Sequence, residues 1–229
     1  MKKNIKTNRS YLFFKKKYFI IRNSSIQEQG HQNSSRVYNT FKRILQHYDF
    51  KLFSKNSKVL DIGCGGGSLI DIMKKDKIDA KGVDFKDIDL EFQKINEKNN
   101  SMDYIICYSL IEHIRNSFHL FSNIKRILKK NGVLIIITPN FKYCYKEFYD
   151  DCTHVTPYTQ SGLKHCLKIY NFKKIHIVPW LVNKSTFWWD VPGKFFFARY
   201  FFLFQNDVKF YFPQLFKGKS NTLICICKK

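Results

Sequence analysis

Val59 to Leu69, VLDIGCGGGSL, constrains this chain more than any other stretch. Val59, Leu60 and Ile62 are apolar residues suited to a buried parallel strand. The run carries an acid, Asp61, near its end and then breaks into Gly63, Gly65, Gly66 and Gly67. Glycines there let the backbone turn sharply and let a ligand approach without side-chain collision. Ser68 opens an apolar-periodic run, Leu69, Ile70, Ile72 and Met73, which reads as a helix. A strand, a glycine turn and a helix N-terminus together form the ligand corner of a doubly wound α/β sheet.

The glycine spacing separates two kinds of ligand. A dinucleotide loop follows G-x-G-x-x-G, but here the sixth position is Ser68, and only the looser D-x-G-x-G-x-G pattern of Asp61, Gly63, Gly65 and Gly67 is met. An acid at the first position also repels a diphosphate, whereas it suits a ligand bearing an amino group and a sulfonium. Further on, KGVDF places Asp84 at the tip of a second short strand, with Phe85 beside it. That is about the twenty-residue interval at which a carboxylate accepts the hydroxyls of a ribose. Taken together, the two features point to a nucleoside-bearing cofactor.

The motifs continue in order. MDYIICYSLIEHI, Met102 to Ile114, and LKKNGVLIIITPN, Leu128 to Asn140, resemble the fourth-strand and fifth-strand motifs of class I S-adenosylmethionine-dependent methyltransferases, to which the glycine corner is also similar. The resemblance covers roughly Lys58 to Asn140. It implies a Rossmann-like, doubly wound, seven-stranded, mostly parallel α/β sheet that binds S-adenosyl-L-methionine. Only nineteen positions separate Asp84 from Asp103, so Ile88 to Asn96, which alternates apolar and polar residues over its first half, is expected as the third strand, its preceding helix lost or cut to a turn. By resemblance Asn96 stands where relatives touch the adenine, and Ser109 and Leu110 where the methionine moiety lies. The cofactor-binding set so expected is Asp61, Gly63, Cys64, Gly65, Gly67, Asp84, Phe85, Asn96, Ser109 and Leu110.

At 229 residues the chain is long enough for one α/β domain with decorations. Residues 1–56 read as a basic extension and a cap helix, in which Val37, Phe41, Ile44, Leu45 and Tyr48 recur at helical spacing. Residues 57–229 read as the catalytic domain, with an aromatic insertion at about 181–219. The net charge is +22, but 33 of the 40 basic residues are lysine. Arginine is the residue of bidentate phosphate recognition, so its scarcity argues against a nucleic-acid substrate, leaving a general attraction to anionic surfaces. Seven cysteines without a C-x-x-C pair imply neither a disulfide framework nor a zinc ribbon, so no metal is expected and a reducing cytoplasm fits. KFFFARYFFLF within the insertion is too short to span a bilayer, but a contact through 195–204 with the inner face of a membrane is compatible with it, as is packing on the substrate pocket.

Ser109 and Glu112 form S-x-x-E, which reads as a capping box, with Glu112 and His113 serving structure rather than catalysis. Ser117 to Lys130 reads as a scaffold helix. Phe148 to Thr159, FYDDCTHVTPYT, follows the fifth strand and so overlies the carboxyl ends of the strands, where substrates bind. It resembles a segment of small-molecule methyltransferases associated with glycan assembly, with Cys152 in place of the usual proline and Thr156 in place of the usual arginine. An Asp, a His and a Tyr in one loop can orient a hydroxyl and take its proton. The catalytic residues expected are His154, as base, and Asp151, as its orienter; pinning of the loop by both is the plainer alternative. The leading acceptor is an oxygen of a sugar or lipid-linked glycan precursor, by resemblance only. RNA methylation and an inactive cofactor-binding scaffold are the rivals, and oligomeric state is not legible.

Overall fold

The structure, a computed structural model, describes residues 30–180 and 217–229, together with positions 17, 204 and 205. The first helix, α1 (Gly30–His47), begins ahead of the apolar stripe, and it buries the expected Val37, Phe41, Ile44 and Leu45. It packs on α2 (Ser68–Lys75), which follows β1 (Lys58–Ile62). Then come β2 (Asp79–Val83), β3 (Met102–Tyr108), α3 (Ser117–Ile127), β4 (Leu128–Pro139) and the short α4 (Phe141–Cys144). The chain continues with α5 (Gln160–Ile169), β5 (Lys173–Trp180), β6 (Phe204–Gln205), β7 (Lys217–Lys219) and β8 (Thr222–Lys228).

Six strands form one sheet in the order β2-β1-β3-β4-β8-β5. The first four run parallel, and β8 lies antiparallel between β4 and β5. Period-two alternation splits each strand between two cores. Leu60, Ile105, Cys107, Leu134, Ile136 and Cys225 pack beneath α3 and α5. Val59, Tyr104, Ile106, Ile135, Ile224 and Ile226 pack beneath α1 and α2. Sequential order reverses between β1 and β3, so the crevice of the doubly wound sheet opens past the carboxyl ends of these two strands.

The expected seventh strand is missing among the described residues. Ile88 to Asn96 forms turns and irregular chain instead, leaving β2 at the sheet edge. Leu90 and Ile95 are nonetheless buried, in the core beneath α3. Arg126, in the last turn of α3, donates to the carbonyls of Ile95 and Glu97, and Asn123 Oδ1 accepts from Ile95 N–H. The alternation that reads as a strand therefore arises from a loop anchored by two apolar side chains and a guanidinium. With eighteen residues between β2 and β3, the chain fills the space under the sheet without adding a strand to its edge.

The capping box also fails to form. Ser109 has φ +47°, and no side chain caps the 3-10 turn Ile111–His113. Thr138 Oγ1 on β4 donates instead to Glu112 Oε2 at 2.9 Å, so the carboxylate is drawn inward and is almost fully buried. Thr159 caps α5 by accepting from Gly162 N–H at 3.1 Å, and β5 and β8 fall on KKIHIVPW and NTLICICKK. The division at residue 56 falls in the link between α1 and β1, which Tyr104 Oη fastens by donating to the Lys51 and Leu52 carbonyls. The segment before Gly30 and the aromatic insertion, including the membrane contact expected at 195–204, lie outside the described residues apart from Lys17, β6 and β7. Among the described residues no helix is long and apolar enough to cross a membrane.

Candidate active site

The turn after β1 takes the conformation its glycines permit, with φ of +83° at Gly63, +54° at Gly65 and +80° at Gly67. Gly63 N–H donates to Val83 O at 2.8 Å, joining the turn to the end of β2. A Cβ added at Gly65 or Gly67 would meet no atom within 4 Å, so these two positions border open space. Gly63 is different, because a Cβ there would come 3.1 Å from Leu110 Cδ1. Leu110 thus closes the floor of the turn from the end of β3, where Ser109 N–H donates to Ile137 O.

Asp61 and Asp84 converge on this turn. Asp84 Oδ2 accepts from Gly65 N–H at 2.9 Å, which aims the carboxylate into the glycine hollow. Both acids are buried, and Asp61 Oδ1 and Asp84 Oδ1 have no hydrogen-bond partner among the described residues. Burial, with Asp84 beside it, pushes Asp61 up from the usual 3.8 to about 7. Buried oxygens without donors call for a ligand that supplies donors and positive charge. A ribose and a cationic amino acid moiety supply both, so the residues present fit S-adenosylmethionine. Cys64 is half-buried, and burial together with Asp61, Asp84 and Asp87 pushes its thiol up to about 12, which makes it packing rather than a nucleophile. Phe85 is half-buried beside Asp84.

Asn96 does not belong to this group. It is exposed, and its neighbours Ile95 and Glu97 are tied to the last turn of α3, near the amino-terminal end of β3. The adenine contact expected of it rested on a strand that does not form.

The second constellation follows β3 and β4. His154 Nδ1 lies 2.6 Å from the Phe148 carbonyl, which can only accept, so Nδ1 carries a proton and in the neutral ring Nε2 holds the lone pair. Asp151 Oδ2 lies 3.8 Å from Nε2. Asp151 therefore does not orient the imidazole from behind; Phe148 O does that, and Asp151 stands at the proton-accepting side. Its Oδ1 accepts from Thr153 N–H at 2.9 Å and from Thr153 Oγ1 at 2.6 Å, which also pins the loop. Thr156, in place of arginine, donates to Ile114 O at 2.8 Å. Tyr158 is buried in the core beneath α3 and α5, and burial raises its hydroxyl far above its usual range, so it is not the loop tyrosine of the expected cluster.

Sequence reasoning missed what lies beside His154. Glu112, His113 and His154 each bring one donor atom to within 4.8 Å of the others, and the His113 and His154 rings lie 4.7 Å apart. A groove of about 380 Å³ lined by Tyr38, Lys42, Lys55 and Lys77 lies near the amino-terminal ends of β1 and β2, remote from both constellations.

The sheet order, the glycine hollow and the two inward-facing acids define a nucleoside-cofactor enzyme of the doubly wound class. Comparison with known proteins makes the class specific. Residues 31–177 match the family model described as a methyltransferase domain, and the chain belongs to that family. It is 30% identical over 115 residues to a ubiquinone biosynthesis O-methyltransferase of Pelagibacter ubique, covering 40% of this chain and 48% of that protein. It is 28% identical to the enzyme of the same name from Histophilus somni, covering 36% and 45%. The chain thus spans about half the length of the curated relatives it matches. Among solved structures, an S-adenosylmethionine-dependent methyltransferase of Archaeoglobus fulgidus superposes with TM-score 0.60 at 19% identity, covering 93% of this chain and all of that one. Phosphoethanolamine N-methyltransferase 2 of Haemonchus contortus, in complex with S-adenosyl-L-methionine, superposes with TM-score 0.55 at 17% identity, covering 83% and 52%. These two likenesses bear on the fold alone.

Proposed function

We propose that this protein methylates a hydroxyl oxygen of a small-molecule acceptor that docks against His154, over the carboxyl ends of β3 and β4. One observation carries the reading: the imidazole is fixed with its lone pair on Nε2, next to the Asp151 carboxylate. S-adenosylmethionine, when bound, supplies a methyl group on a cationic sulfur. Asp61 and Gly63 hold the amino acid end of it, and Asp84, aimed by the Gly65 N–H, holds the ribose. Leu110 backs the glycine turn so that the two ends keep their separation. His154 accepts the hydroxyl proton as the oxygen becomes nucleophilic, and Asp151 steadies the resulting imidazolium. The remaining contribution is positioning and exclusion of water.

The names of the relatives support a ring hydroxyl of a quinone precursor as the acceptor. The likeness of Phe148 to Thr159 to glycan-associated methyltransferases supports a sugar hydroxyl of a lipid-linked precursor as the second reading. A methyl-release assay with both acceptor classes separates them. His154→Ala is expected to lower turnover by at least about a hundredfold while calorimetric binding of S-adenosylmethionine stays intact. Unchanged turnover in that variant refutes the assignment.

A further inference from the structure

We propose that Glu112, His113 and His154 together bind a divalent transition-metal ion of the zinc class. The three arrive from separate places, Glu112 and His113 from the turn after β3 and His154 from the loop after β4, yet their donor atoms gather within 4.8 Å. Each is held from its far side. His154 Nδ1 donates to Phe148 O, as described. His113 Nδ1 lies 3.2 Å from Thr153 O and 2.9 Å from Thr153 Oγ1, and the Thr153 hydroxyl proton is directed to Asp151 Oδ1. His113 Nδ1 is therefore a donor, and Nε2 is the atom that this imidazole can offer. Glu112 Oε2 accepts from Thr138 Oγ1.

Two imidazoles whose Nδ1–H groups are fixed by carbonyl or hydroxyl oxygens, beside a hydrogen-bonded carboxylate, form the surroundings that orient metal ligands. A set of two histidines and one carboxylate suits zinc, cobalt or iron(II), and three protein ligands leave a coordination position open. One divalent ion can take an electron pair from each imidazole and from the Glu112 carboxylate.

This inference rests on the oxygen-acceptor reading and changes what removes the proton. With the ion in place, His154 Nε2 is a ligand, and the acceptor hydroxyl occupies the open position, where coordination lowers its pKa. The O–H bond breaks with its electron pair left on oxygen, and the proton passes to Asp151 and then to water. The oxygen uses a lone pair to form the O–CH3 bond, while the S–CH3 pair stays with sulfur.

The test uses the chelator-stripped full chain, titrated with Zn2+ and with Co2+. One equivalent is expected to bind, and Co2+ should show d–d absorption without thiolate charge-transfer bands. His154→Gln and Glu112→Gln should each weaken binding by at least about tenfold. Cys152, exposed in the same loop, is the competing ligand, and Cys152→Ser should leave ion binding and spectrum unchanged. Ion binding no tighter than in His154→Gln overturns the site, as do thiolate bands that vanish in Cys152→Ser. Calorimetry with S-adenosylmethionine on each variant shows whether the fold is intact, and it separates failure of the ion site from failure of the methyltransferase reading. With the acceptor class that the methyl-release assay selects, ion-loaded protein should turn over at least about tenfold faster than stripped protein; equal turnover overturns the ion's part in proton removal.

Discussion

Affinity for S-adenosylmethionine should fall as the pH is lowered through neutrality, and Asp61 is the reason. Its carboxylate is buried beside Asp84, and its ordinary value of 3.8 is pushed up to about 7, first by burial and then by the neighbouring charge. A cationic ligand requires the ionised form. At about pH 8 most of the protein is already in that form, but at about pH 6 only roughly one molecule in ten is, so the apparent dissociation constant should rise about tenfold between the two. Isothermal calorimetry in buffers of different ionisation enthalpy should detect close to one proton released per ligand bound at the lower pH and close to none at the higher.

The same acid predicts an opposite effect on stability. Because the folded value lies above the ordinary one, the protonated form is favoured by folding, and this contribution is fully present below about pH 4. It is lost as the pH rises through about 7, and above that the ionised carboxylate costs on the order of 4 kcal/mol in the ligand-free protein. Asp61→Asn should therefore raise the ligand-free melting temperature at about pH 8 while weakening S-adenosylmethionine binding by tenfold or more. Flat affinity from about pH 6 to 8 would sink this reasoning, as would a tenfold pH dependence that survives in Asp61→Asn.

Three further perturbations follow from the packing. Gly82→Ala should destabilise the protein by about 1–3 kcal/mol in chemical denaturation, because the new Cβ would sit 2.4 Å from Cys64 Sγ and 2.7 Å from Cys64 Cβ; Cys64→Ala in the same chain should recover part of the loss, and a neutral Gly82→Ala would show that the turn yields freely. Asp84→Asn should weaken S-adenosylmethionine and S-adenosylhomocysteine by similar factors of about ten, since a ribose contact is common to both; a loss confined to the charged donor would mean that Asp84 acts through its charge instead. Thr138→Val strips the hydroxyl from buried Glu112 and should cost about 1–3 kcal/mol by thermal unfolding, with S-adenosylmethionine binding unchanged.

The convergence of Asp61, Asp84 and the glycines was legible because its signal is local. Asp61 and the glycines lie within seven residues of one another, and Asp84 is tied to them by a fixed strand-to-strand interval, so spacing alone carries the chemistry. Asn96 and the third strand were misread for the converse reason. Alternating apolar residues fit a strand, but they fit equally well a loop whose Leu90 and Ile95 drop into a core, and the guanidinium that decides between the two comes from Arg126, about thirty positions away. Glu112 was misread in the same way. S-x-x-E is a local pattern, and Thr138, on the next strand, outcompetes it for the carboxylate.

The acceptor half illustrates which long-range contacts can be read without coordinates. β3 and β4 are parallel neighbours, with Tyr108 opposite Ile137, so the segments that leave their carboxyl ends must start side by side. Whatever follows Tyr108 and whatever follows Pro139 then share the same few ångströms of crevice. The Glu112 carbonyl accepts from both Val155 and Thr156 N–H, which stitches the two segments together and sets His113 against His154. Strand order thus brings together two segments about forty residues apart in sequence, and the Glu112 carbonyl bonds complete the meeting of Glu112 and His113 with His154. Their hydrogen-bond polarity was not legible, because it depends on the Phe148 and Thr153 carbonyls, and carbonyl direction is a property of the folded loop that no residue type encodes.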